Sequence, residues 1–217
     1  MNSSGEKPVW WEEAKVALIT SDPVMKQIIE DHPDGFLISR GSPLETLLRS
    51  VIGQQISVKA AANIWERFVK TCKVIDPGVI RRKHRRSLRA AGLSERKIDY
   101  VLDICRFFLE NPEASTGFKD KSDEEVIEEL CSIKGVGRWT AEMFLIFALL
   151  RPSVAPIVDY GFIKAVGKAY YPEIEFEEWS ARDRKEELAS VIAKWGPWKT
   201  AATWYLWRSL NNGPMQY

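Results

Sequence analysis

From Pro43 the apolar positions Leu44, Leu47, Leu48, Val51 and Ile52 fall at i, i+3, i+4, i+7 and i+8, the spacing of one buried helix face. Gly53 ends that run, and Ser57 is placed to cap a second helix that turns Ala60, Ala61, Ile64, Trp65 and Phe68 inward. Gln54, Gln55 and Ile56 are therefore confined to a tight helix–helix turn. The same period recurs along the chain. Residues 9–30 predict two short helices broken at Ser21-Asp22-Pro23, with Trp10, Trp11, Ala14, Leu18, Val24, Ile28 and Ile29 as core. Behind Ser94 come Ile98, Val101, Leu102, Ile104, Cys105 and Phe108. Behind Ser122, which forms a capping box with Glu125, come Val126, Ile127, Leu130, Cys131 and Ile133. Arg138 to Leu150 is apolar nearly all round, which predicts a helix in the centre of a helical domain. No alternating pattern of useful length appears, so the expected class is all-α.

The intervening stretches read as punctuation. Asp76-Pro77-Gly78 predicts a turn, Val79 to Ala90 a single helix with a solvated basic face, and Asn111 to Lys121 a polar connector. After Asp159 a helix runs through Phe162, Ile163, Val166 and Ala169. Glu173 to Trp179 reads as an acidic linker, Lys185 to Trp195 as an amphipathic helix, and Trp198 to Leu210 as the last helix.

With 217 residues the chain can bury a core as one domain or as two lobes sharing a cleft. Its longest apolar run, Met143 to Leu150, is far below the ~18–20 residues of a membrane span. The start, MNSSGEKPVWW, has no signal-peptide core, so an intracellular protein without a membrane partner is expected. Cys72, Cys105 and Cys131 lie far apart without a Cys-x-x-Cys, the pattern of neither a zinc site nor a disulfide framework. Net charge is only +1, but it is unevenly placed: residues 51–108 hold 13 Lys/Arg against 5 Asp/Glu, and residues 109–134 hold 3 against 8. A basic region beside an acidic helix suits a DNA-facing side and a solvent side, and equally suits ordinary solvated helix faces. His32 and His84 read as surface residues.

Lys134-Gly135-Val136-Gly137 is too short for a strand, and its glycines can take positive φ and admit another backbone closely. The N–H groups of this turn lie at a helix N-terminus, where they suit a phosphate. The string LCSIKGVGRWTA, followed by the loop RPSVAPIV and Asp159, resembles the helix-hairpin-helix DNA glycosylase superfamily. GRWTA, and the placing of Asp159 twenty residues after Trp139, are similar to its 3-methyladenine DNA glycosylase II branch. LLRSVIGQQISVKAAANIW and AAGLSERKIDYVLDIC resemble further stretches of that branch.

The resemblance implies two helical lobes, residues 43–151 and residues 1–42 with 152–217, and Asp159 at the cleft between them. It implies double-stranded DNA as partner, excision of alkylated purines, chiefly 3-methyladenine, by base flipping, and action as a monomer. The compartment would be the cytoplasm or nucleoid of a bacterium, or the nucleus of a eukaryote. By position, Asp159 is the catalytic carboxylate, needed ionised. Trp139, Trp207 and Tyr160 line the base pocket, and Gln55 with Gln54 is the wedge. Gly135, Val136, Gly137 and Arg138 hold phosphate. The carbonyls of Cys131, Ile133 and Val136 would hold a structural Na+ or K+ ion. No catalytic cofactor and no iron–sulfur cluster are implied. Met143 stands where some relatives have a pocket aromatic. Trp139 stands where lyase-competent branches carry a Schiff-base lysine, which implies a monofunctional hydrolase. Two other readings stay open: a glycosylase for a different lesion, and a helix-hairpin-helix DNA-binding protein without catalysis.

Overall fold

The computed structural model describes residues 7–39, 41–173 and 179–210. Residues 174–178 of the expected acidic linker lie outside the described residues, as do the ends of the expected second lobe, 1–6 and 211–217. Among the described residues there are thirteen helices and no strand. By contact the chain divides into two units, residues 41–149 and residues 7–39 with 150–210.

The first unit contains α3 (Pro43–Gly53), α4 (Val58–Cys72), α5 (Pro77–Arg81), α6 (Arg85–Ala90), α7 (Glu95–Glu110), α8 (Glu113–Thr116), α9 (Asp123–Cys131) and α10 (Arg138–Phe147). Five of these helices start where a side chain satisfies otherwise unpaired first N–H groups, and α6, α8 and α10 start without one. Ser42, Ser57, Asp76, Ser94 and Ser122 each accept such a bond, and Ser122 with Glu125 completes the capping box. α10 packs against α3 and α9 with every residue from Thr140 to Phe147 buried, and α7 packs against α3 and α5 through Ile98, Val101, Ile104 and Cys105.

The second unit contains α1 (Trp11–Ser21), α2 (Pro23–Asp31), α11 (Tyr160–Tyr170), α12 (Ala181–Ala193) and α13 (Lys199–Leu210). α13 is its centre: residues 200–207 are all buried, and it touches α1, α2 and α11. Tryptophans build this core, with Trp11 stacked on Tyr205 and edge-on to Trp204. Asp22 is buried but fully engaged. Its Oδ1 caps α2 by accepting from the N–H groups of Val24 and Met25, and its Oδ2 accepts from Tyr170 Oη at 2.6 Å and Trp195 Nε1 at 3.2 Å.

Several local expectations change. Asp76-Pro77-Gly78 is the capped start of α5 rather than a turn, because Asp76 accepts from the Val79 N–H. The helix expected over Val79–Ala90 is interrupted: α5 ends at Arg81 and α6 begins at Arg85, with His84 in extended conformation between them. Its charge is also partly spent, since Arg85 pairs with Glu95 and Asp99, and Arg89 with Glu95. The connector at 111–121 contains α8 and a fully buried Phe118, which packs edge-on against Phe144. α10 ends at Phe147, three residues before Leu150, and α12 begins at Ala181 because Ser180 caps it.

Candidate functional site

The hairpin between α9 and α10 is held from three sides. Gly135 has φ +83°, and a Cβ built there would lie 2.3 Å from the Tyr100 ring. The position thus requires glycine twice, for conformation and for space. The Lys134 N–H donates to Asp103 Oδ2 at 2.8 Å, and Gln54 Nε2 donates to the Gly135 carbonyl at 3.0 Å. Gly137 differs from the expectation of positive φ. It sits at φ −103° as the N-cap of α10, no side chain caps that helix, and a Cβ there would meet nothing within 4 Å. α10 therefore begins with an N–H cluster approachable from outside. The Arg138 guanidinium is bidentate on Glu124 at 2.7 and 2.9 Å and reaches Glu142 at 3.2 Å, so what Arg138 adds at the helix start is its backbone. The Ile133 carbonyl accepts from the Val136 N–H and keeps a second lone pair.

The turn after α3 is tied to the same support. Lys97 on α7 donates from Nζ to the carbonyls of Ile52 at 2.6 Å and Gln54 at 2.9 Å, a cation placed on the C-terminal carbonyls of α3. Burial lowers the Lys97 pKa from the ordinary lysine value. Gln54 is spent on the hairpin, with a second bond to Thr140 Oγ1 at 3.3 Å, whereas Gln55 is exposed and held at φ +58°. Of the two expected wedge residues, Gln55 is thus the one offered to solvent. Lys97, Tyr100 and Asp103, at i, i+3 and i+6, form one stripe of α7 that carries both the turn and the hairpin.

Asp159, in the second unit, is the N-cap of α11. Its Oδ1 accepts from the Phe162 N–H at 2.7 Å and from Trp207 Nε1 at 3.0 Å. Trp207, expected in the base pocket, is 1 % exposed and serves here to orient the carboxylate. Tyr160 beside it is 65 % exposed, and the Lys164 ammonium lies 5.9 Å from the Tyr160 ring. Within the first unit, Trp139 and Met143 of α10 line a cavity of about 450 Å³ together with Thr46, Ser50, Gly53, Gln54 and Gln55. This arrangement offers an indole wall, a turn with one projecting polar side chain, and an uncapped helix N-terminus.

A family model described as the HhH-GPD superfamily base excision DNA repair protein matches residues 48–194. The chain belongs to the HhH-GPD superfamily of base excision DNA repair proteins. It is 33 % identical over 177 residues to DNA-3-methyladenine glycosylase 1 of Schizosaccharomyces pombe, covering 79 % of this chain and 74 % of that protein. It is 26 % identical over 195 residues to a putative DNA-3-methyladenine glycosylase, YfjP, of Bacillus subtilis, covering 86 % of this chain and 66 % of that protein. Among solved structures, it superposes with a TM-score of 0.74 and 31 % identity on a 3-methyladenine DNA glycosylase of S. pombe in complex with abasic DNA. That match covers 91 % of this chain and 96 % of the other.

In this member of the HhH-GPD superfamily Lys97 supports the turn beside the hairpin, a role not legible in the sequence. A lysine after Gly-Leu-Ser is visible there, but the partners it finds are carbonyls more than 40 residues away. Lys97→Met should lower the melting temperature by about 2–8 °C, from ~1–2 kcal/mol of lost charged hydrogen bonding. It should also weaken binding to abasic-site duplex more than to intact duplex, because the Gln55 turn loses its anchor. Thermal melts and titrations on the two duplexes measure this, and an unchanged melting temperature would refute the clamp.

Proposed function

We propose that the chain is a monofunctional DNA glycosylase that releases alkylated purines, chiefly 3-methyladenine, from double-stranded DNA, acting as a monomer wherever the cell keeps its DNA. The observation that carries this reading is Asp159: a carboxylate whose Oδ1 is fixed by two N–H donors, in a chain of a base excision family. The relatives named glycosylases of 3-methyladenine support the substrate class. No helix of the described residues is long and apolar enough to cross a membrane.

In this mechanism the hairpin Gly135-Val136-Gly137-Arg138 holds a backbone phosphate without reading sequence, through the open N–H groups at the N-terminus of α10, while the Val136 N–H stays on the Ile133 carbonyl and shapes the turn. Gln55 fills the gap as the nucleotide turns out of the stack. The purine stacks on Trp139, where a positively charged alkylated ring gains a cation–π attraction of about 0.5–2 kcal/mol. Tyr160, exposed beside Asp159, belongs to the base-binding surface. The bond from C1′ to the purine nitrogen breaks with its electron pair leaving on the base. Asp159 stabilises the oxocarbenium charge that develops on the sugar or orients the attacking water. Water adds its oxygen to C1′ and gives up a proton, leaving an abasic sugar in an intact strand. The carbonyls of Cys131, Ile133 and Val136 are hard oxygen donors suited to Na+ or K+, and an ion there would stiffen the hairpin without entering the reaction. The reaction calls on no catalytic cofactor and no iron–sulfur cluster.

The experiment is incubation with methylated duplex DNA, identification of the bases released, and borohydride added in parallel. Free 3-methyladenine should appear, strands should break only after alkali or heat, and nothing should be trapped. Trp139 occupies the Schiff-base position and supplies no amine, so a borohydride-stable protein–DNA adduct would disprove the monofunctional assignment.

A further inference from the structure

The basic run of the first unit has an outer face that the fold leaves uncompensated. Residues 70–89 hold eight Lys/Arg against one acid, Asp76, whose carboxylate caps α5. The run is anchored: Ile80 of α5 and Leu88 of α6 are fully buried, α5 packs on α7, and α6 packs on α7 and α4. Arg85 and Arg89 fix α6 to α7 by pairing with Glu95, and Arg85 also reaches Asp99 at 2.8 Å. Arg81, Arg82 and Arg86 are exposed, Lys83 is half-buried, and none of the four makes an ion pair among the described residues. Burial pushes the Cys72 thiol up to about 11 and the Lys83 ammonium pulls it back in part, which places Lys83 near the end of α4, where Lys73 is exposed too. A solvated helix face ordinarily carries both signs, because like charges within a Debye length of about 8–10 Å repel. A face of cations alone is stabilised by a polyanion.

The position of this face says which polyanion. Glu95 and Lys97, two residues apart in the first turn of α7, hold α6 on one side and the Gln55 turn on the other. Arg96 between them is exposed and donates from Nε to Tyr100 Oη at 2.6 Å, and the Tyr100 ring is the one that a Cβ at Gly135 would strike. Cations therefore run from the hairpin across the start of α7 to α6. With a helix about 10–12 Å wide, the outer face of α5 and α6 lies about 10–20 Å from the Gln55 turn, roughly 3–6 base pairs at about 3.4 Å each. We propose that Arg82, Lys83 and Arg86 bind phosphates of the duplex arm beside the nucleotide met by the Gln55 turn, extending the DNA footprint. The proposal rests on the DNA-binding reading above. Phosphate contacts add affinity and orientation and read no bases, so this face sets how the chain lies on a duplex and leaves the choice of base to the cavity.

The test combines Arg82→Gln, Lys83→Gln and Arg86→Gln, beside a control with Lys26→Gln, Lys119→Gln and Arg182→Gln, exposed cations outside this face. Each protein is titrated with a duplex bearing one abasic site over a range of salt. For the first variant the slope of log affinity against log salt should flatten by about 2–3, the loss of three phosphate contacts, and affinity at about 50 mM salt should fall about 10–100-fold. The control should keep the wild-type slope. Duplexes with about 4 base pairs on one side of the abasic site and about 14 on the other, made in both polarities, locate the arm: wild type should prefer one polarity and the variant neither. The variant should melt at or slightly above the wild-type temperature, and its single-turnover base release at saturating enzyme should be unchanged. An unchanged slope overturns the assignment and leaves the face to an acidic protein. An equal loss in the control, a polarity preference kept by the variant or absent from wild type, a slower saturated release or a collapsed melting temperature overturns it too. If wild type binds neither intact nor abasic duplex, the DNA-binding reading itself has failed. If it binds with the expected slopes and releases no base, only the glycosylase reading has.

Discussion

Asp159→Asn should reduce base release by about 10²–10⁴-fold, the range lost when a positioned charge or general base is removed from a transition state. It should change melting temperature and DNA binding little. The separation follows from the two jobs of this side chain. As N-cap of α11 it accepts from the Phe162 N–H, and asparagine does this about as well as aspartate. The Asn carbonyl can also keep the bond from Trp207 Nε1. Charge is what the substitution removes, and charge counts only when the sugar becomes cationic. Single-turnover excision beside a thermal melt and a duplex titration reads both parts. Near-normal excision would remove Asp159 from the chemistry, and a collapsed melting temperature would show that its role is structural.

Gly135→Ala should be the most damaging single methyl in the hairpin, lowering the melting temperature by about 5–12 °C. Alanine at φ +83° costs about 1–2 kcal/mol of backbone strain, and its Cβ would sit 2.3–2.6 Å from three atoms of the Tyr100 ring. Tyr100 cannot yield freely, because Arg96 Nε donates to its hydroxyl at 2.6 Å. If the hairpin moves instead, it forfeits the bonds from Gln54 Nε2 to the Gly135 carbonyl and from the Lys134 N–H to Asp103. Gly137→Ala is the contrast. With φ −103° and open space around the added carbon, it should fold as wild type and lose DNA affinity, since the methyl stands where a phosphate would approach. Equal melting temperatures for the two variants would contradict this account of the hairpin.

The difference between those glycines shows where reading the chain stops. Helical period, capping serines and glycine punctuation determined the all-α class, the start of nearly every long helix, and the identity of the hairpin. Each of these depends on residues within about four positions of one another, where backbone hydrogen bonding and side-chain direction are local. The place of Asp159 at a helix start was legible for the same reason, as an Asp ahead of an apolar helical run. Short elements were not: α5, α6 and α8 make few bonds of their own and exist because packing buries Ile80, Leu88 and Ala114. Partners distant in sequence were invisible altogether. That Trp207 donates to Asp159, that Lys97 holds the carbonyls of Ile52 and Gln54, and that Tyr100 fills the space only a glycine at 135 leaves are facts of three-dimensional proximity. No spacing rule encodes them, because each joins residues whose separation along the chain is set by the path of the intervening helices.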